Sequence, residues 1–165
     1  MNTSLSPEAK ERREQLIHRL RTGGYVQGKG SLLAELYGEK RYCCLGVASQ
    51  QFIEEVENSG CAWNKSKRAE GIIEFINENN SYASYLPETV RDYFGFEGDN
   101  PKIHIKDELE LRKLWDIVKH TITTHDSFHS FCDGYANGIF SLADLNDQGV
   151  SFAAIADVLE QFDVR

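Results

Sequence analysis

The stretch Arg41-Tyr42-Cys43-Cys44-Leu45-Gly46-Val47-Ala48 changes character half-way along. Its first half is a short apolar run of the kind that ends a strand. At Gly46 the pattern passes into Val47-Ala48-Ser49-Gln50-Gln51-Phe52-Ile53, which predicts a helix from about Leu45 to Glu57. Small and thiol side chains let a strand end and a helix start pack closely, and free cysteine is among the most buried residue types. Cys43 and Cys44 therefore read as core. A strand running into an amphipathic helix means mixed secondary structure.

Upstream, Ser6-Pro7-Glu8 opens a helix: Ser6 caps, Pro7 suits the first helical position, and Glu8 faces the positive end of the dipole. Leu16, Ile17 and Leu20 form its apolar stripe, and Thr22-Gly23-Gly24 closes it. Tyr25 to Leu33 and the segment from Gly38 to Cys44 read as two short strands around a turn. Downstream, Cys61 to Arg68 reads as a basic, aromatic-containing connection, and Glu70 to Ile76 fits strand or helix equally. Tyr85 to Gly95 and Asp107 to about Ile122 have helical spacing, whereas Ile103-His104-Ile105 alternates like a strand. Asp133 to Gly138 reads as a turn. Ser141 to Gly149 is a short helical turn, and Ser151 caps an amphipathic helix from Phe152 to Glu160. No repeat or low-complexity linker divides residues 1–165. The expectation is one compact α+β domain: a short β-hairpin or small antiparallel sheet packed with several amphipathic helices.

The formal net charge is −8, from 26 acidic and 18 basic residues. That balance argues against a nucleic-acid polymer as main partner, because phosphate contacts need a concentrated positive field. It leaves room for one small anion in a local basic pocket. No apolar run approaches the roughly 18 to 20 residues that cross a bilayer, and the N-terminus lacks a signal-peptide layout. A cytoplasmic protein with no membrane partner is expected. Cys43, Cys44, Cys61 and Cys132 match neither a disulfide framework nor paired metal hooks.

Gly23-x-x-x-x-Gly28-Lys29 has P-loop spacing, but Gly30 stands where Ser or Thr should hold magnesium, and a helix precedes it. A looser nest of backbone N–H groups near Gly28 and Gly30, helped by Lys29, remains. His125, His129 and Cys132 fall at i, i+4 and i+7, beside Asp126, so one helical face would carry zinc-type ligands. Phe128 and Phe131 share the segment and no H-E-x-x-H accompanies it, so no metal and no other cofactor is assigned. Four cysteines and five histidines admit many Cys–His pairings, and none stands out as catalytic. Two cation–aromatic sets do stand out: Tyr25 with Lys29 and Arg41, and Trp63 with Lys65, Lys67 and Arg68. Such sets hold a base and a phosphate. Tyr25, Lys29, Arg41 and Trp63 are the ligand-binding candidates.

The order of motifs resembles a family of small proteins encoded by bacteriophages and prophages. The matching pieces are Leu20-Arg21-Thr22-Gly23-Gly24-Tyr25, Gln27-Gly28-Lys29-Gly30-x-Leu32 and Tyr42-Cys43-Cys44-Leu45-Gly46-Val47. Leu86-Pro87-Glu88-x-Val90 and Leu142-Ala143-x-Leu145-Asn146-Asp147-x-Gly149-x-Ser151-Phe152-x-x-Ile155-Ala156-Asp157 follow. Against that pattern, residues of about 101–135 look like a family-variable insertion. The resemblance carries no catalytic motif. It implies a phage protein in a bacterial host cytoplasm, where accessory proteins often counter host defence. The reading it favours is binding and sequestration of a small nucleotide-like immune signal without cleavage, by a protein for which a homo-oligomer would be suitable. The alternatives are an enzyme that degrades such a signal through His125 or His129, and a protein–protein inhibitor of a host factor.

Overall fold

The computed structural model describes residues 5–134 and 139–165, so of the turn expected from Asp133 to Gly138 the first two residues end a helix and the rest lie outside the described residues. Helix α1 (Pro7–Thr22) starts as its sequence dictates: Ser6 Oγ accepts the Ala9 N–H at 3.1 Å. Strands β1 (Val26–Gln27), β2 (Leu33–Leu36) and β3 (Glu39–Tyr42) lead into α2 (Cys44–Glu55). Then come β4 (Cys61–Lys65), β5 (Ile72–Asn77), β6 (Asn80–Tyr82) and α3 (Glu88–Phe94). Strand β7 (Lys102–His104), α4 (Glu108–Val118), α5 (Phe128–Gly134) and β8 (Ile139–Ser141) precede α6 (Leu142–Asp147), α7 (Phe152–Gln161) and β9 (Asp163–Val164). This is the expected α+β architecture.

One sheet runs β1-β3-β2-β5-β4, with β6 also on β5. All its pairings are antiparallel except β1 with β3, where Val26 sits opposite Arg41 and Gln27 opposite Tyr42. The segment Cys61–Lys65 is thus a strand rather than a connection. Its inward residues Cys61 and Trp63 are too few to outweigh the basic run that follows. The ambiguous segment after Glu70 is also a strand, since Ile73 and Phe75 alternate inward. A second, three-stranded antiparallel sheet has the order β8-β7-β9.

Period-two alternation gives the first sheet two unlike faces. Tyr42, Trp63 and Phe75 face α2, where Phe52 meets Phe75 with ring centroids 6.4 Å apart. Ala34, Leu36, Arg41, Ile72 and Ile76 lie on the other face, which is largely open, with Leu36 exposed. Beyond α2 the core continues through Phe94, Phe131, Phe140, Ile155 and Val158, all fully buried. Each such aromatic contributes about 2–3 kcal/mol of burial. Helix α1 packs on α7, α2 and α3, and α4 packs on α7. Arg13 of α1 is buried and donates to the carbonyls of Phe94, Gly95 and Val164 at 2.8–2.9 Å, with its guanidinium 4.2 Å above the Phe96 ring. Burial pulls its pKa down to about 10.

Where the opening stretch turns from strand to helix, the Cys43 thiol caps α2 by accepting the Gly46 N–H at 3.3 Å. A Cβ at Gly46 would lie 1.8 Å from the Leu32 carbonyl oxygen and 2.7 Å from its carbon. Only glycine lets α2 approach the loop before β2 so closely. Gly46→Ala is expected to lose about 3 kcal/mol in urea denaturation; an unchanged midpoint would contradict this close contact.

Candidate functional site

The glycine-rich loop after β1 is held by the turn around α6. Asn146, wholly buried, accepts from Gln27 Nε2 at 3.0 Å and from the Cys44 N–H at 3.2 Å, and donates to the Gly28 carbonyl at 2.8 Å. Gln27 Nε2 also reaches the Val150 carbonyl at 2.7 Å. The Gly28 N–H goes to the Tyr42 carbonyl and the Gly30 N–H to Asp147 Oδ1, at 2.7 and 2.9 Å. The N–H groups expected to cradle an anion are therefore spent inside the fold. A small cleft of about 120 Å³ remains there, lined by Ser31, Cys43, Ser84, Asp144 and Asp147. Its two carboxylates repel an anion. Burial pushes the Cys43 thiol up to about 11 and the Cys44 thiol well above its ordinary value. Both are protonated, non-nucleophilic thiols at neutral pH.

The four ligand-binding candidates do not converge. Tyr25 packs edge-on to Tyr42, with centroids 5.1 Å apart, and its hydroxyl accepts from Arg19 at 3.3 Å. Trp63 lies on the other side of Tyr42 at 6.4 Å and donates from Nε1 to Gln50 Oε1 at 2.8 Å. Both rings thus belong to the α2 side of the sheet. Arg41 is on the opposite face, paired with Glu39 at 2.8 Å. Lys29 is exposed in the loop after β1. Nor do the histidines gather. His125 Nδ1 lies 3.0 Å from Ser130 Oγ, and exposed His129 meets Asp133 at 3.3 Å. Among the described residues no group of three or more His, Cys, Asp or Glu side chains is placed to hold a metal ion.

The positive charge gathers elsewhere. Lys65, Lys67 and Arg68, from the end of β4 and the loop to β5, border a cleft of about 520 Å³ with Asn64, Glu74, Ile76 and Ser81. Asn64, Ile76 and Ser81 lie on the open face, whereas Trp63 and Lys65 share the parity of the α2 face, so Trp63 is turned away from the rest of the cleft lining. Ser66 shapes the loop: its Oγ accepts the Arg68 and Ala69 N–H groups at 3.1 and 3.2 Å and donates to Glu74 at 3.0 Å. The Glu35 N–H to the Gly71 carbonyl, at 2.7 Å, ties the loop's end to β2. Lys65 has only a 3.6 Å contact with Glu35 and its side chain is 82% exposed. Lys67 and Arg68 form no ion pair with a described residue. Three cations against the one carboxylate of Glu74 make the lining of this cleft positive within an acidic chain.

A family model described as a domain of unknown function (DUF8296) matches residues 8–163. The chain belongs to that family. No curated protein and no solved structure matches it. The DUF8296 span takes in both the Asn146 clasp and the cationic cleft. Sequence reasoning named Lys65, Lys67 and Arg68 only as companions of Trp63, and missed Gln27 and Asn146 as a polar hub. The signal for the hub was an asparagine inside the apolar turn Leu142-Ala143-Asp144-Leu145-Asn146.

Asn146→Ala leaves the Cys44 N–H and the Gly28 carbonyl without partners, and is expected to cost about 3 kcal/mol in chemical denaturation. A loss below about 1 kcal/mol would mean the clasp is not needed. The Cys43 thiol gives a pH dependence. Its folded pKa of about 11 lies above the ordinary 9.0, so its contribution is intact below pH 9 and fades as pH rises through 11. Stability should fall by roughly 2–3 kcal/mol over that window from this group. Cys43→Ser should flatten the slope, and equal slopes would contradict a buried thiol.

Proposed function

We propose that the chain is a phage-encoded accessory protein that counters host defence by binding and sequestering a small, anionic, nucleotide-like signal without cleaving it. The observation that carries this reading is the cleft bordered by Lys65, Lys67 and Arg68 against a single carboxylate, Glu74, in a chain of net charge −8. Its volume suits a small molecule rather than a polymer. Ile76 offers an apolar floor, Asn64 and Ser81 offer hydrogen bonds, and the lysines and arginine suit phosphate oxygens. The reading shifts the ligand from the glycine-rich hairpin, whose donors are occupied and whose nearest charges are negative. Binding without chemistry is further supported by the protonated state of the two buried thiols.

The test is native mass spectrometry of the protein purified from bacteria with active defence signalling, before and after denaturation. A small phosphate-bearing molecule should be released intact, and the Lys67→Ala/Arg68→Ala variant should carry at least tenfold less of it. Raising salt from about 50 to 200 mM should weaken retention, as for any phosphate contact. A clean protein mass under all conditions, or a processed product, would overturn the sequestration reading.

A further inference from the structure

We propose that Tyr37 supplies the stacking surface for the ring of the bound molecule, completing the site whose phosphate end is Lys65, Lys67 and Arg68. This inference rests on the binding reading above. Tyr37 and Gly38 form the two-residue turn between β2 and β3, and both have positive φ, 51° and 80°. Turns of this type favour Asn, Asp or Gly at the first position, because a side chain is strained in the left-handed region. A bulky aromatic there is an outlier that local folding does not explain.

Packing does not explain it either. Tyr37 is fully exposed, at 106% of its reference area, and no described residue rests on its ring. The aromatics paired with cations in the sequence are committed elsewhere: Tyr25, Tyr42 and Trp63 form consecutive edge-on contacts on the α2 side of the sheet. Tyr37 keeps a free π face. Its place in the fold is also specific. Glu35, two residues before it, donates its N–H to Gly71 at the end of the cationic loop and meets Lys65 at 3.6 Å. The β2–β3 turn and the loop from Ser66 to Gly71 therefore occupy the same end of the sheet. An aromatic face at the same end of the sheet as a cationic loop suits a nucleobase and its phosphates, since every base has a π surface. The strain at Tyr37 is retained for this contact.

Calorimetric titration with ADP, and with inorganic pyrophosphate as a probe lacking a ring, separates the two parts of the site. Tyr37→Ala is expected to weaken ADP about tenfold and leave pyrophosphate unchanged, whereas Tyr37→Phe should retain ADP. Lys67→Ala/Arg68→Ala should weaken both probes. Tyr37→Gly should lose ADP affinity like Tyr37→Ala while raising Tm by about 2–4 °C, because it relieves the left-handed strain. If wild-type protein binds ADP and Tyr37→Ala binds it equally, the stacking role is overturned and the cationic site stands. Parallel losses of ADP and pyrophosphate on Tyr37→Ala would also overturn it. If wild type binds neither probe, the cationic site fails and the role of Tyr37 fails with it.

Discussion

The amide of Asn146 is the point on which the rest of the structure depends. One buried side chain satisfies Gln27, the Gly28 carbonyl and the Cys44 N–H, three groups from segments more than 100 residues away in sequence. An amide in a dry interior is costly unless both its ends are engaged, and here both are. The clasp sets where α2 begins, how the glycine-rich loop is shaped, and where α6 rests. Cys43 at the start of α2 and Gly46 against Leu32 then follow as close-packing requirements of the same junction. Motifs that look chemical in the sequence are mostly used to build this joint.

The cations obey a different logic. Surface ion pairs such as Arg21 with Asp157 and Glu160, or Arg112 with Glu108, balance part of the positive charge locally. In the loop after β4, Lys67 and Arg68 form no ion pair with a described residue, and Ser66 fixes the loop's shape without neutralising them. A charged loop that is held by its own hydroxyl cap, and not by ion pairs, is preorganised for a partner of opposite sign.

Much of the fold was legible in the sequence because the deciding information was local. Ser6, Ser141 and Ser151 each cap the helix that follows them, and Gly95 takes the left-handed conformation that closes α3. The spacing of Phe152, Ile155, Ala156 and Leu159 gave the core face of α7, to which the structure adds Val158. What was not legible depends on pairing between distant strands. Arg41 and Tyr42 are adjacent in sequence, yet the pleat sends one to each face, so Arg41 parts from Tyr25. Trp63 likewise parts from Lys67 and Arg68 once Cys61–Lys65 proves to be an edge strand. Tyr37 was invisible as a candidate because its interest lies in a backbone angle. The positive residues themselves were readable; their faces were not.

Arg13 has a consequence for how the chain is made. Its three carbonyl acceptors lie 81, 82 and 151 residues further on, so the helix carrying it is synthesised long before they exist. At roughly 5–20 residues per second, the last acceptor arrives on the order of 10 seconds or more after the guanidinium. Until then that charge has to stay in water, and the apolar stripe of Leu16 and Leu20 beside it lacks the partner surface of α7. The packing of α1 is accordingly a late event, waiting for β9 to be made.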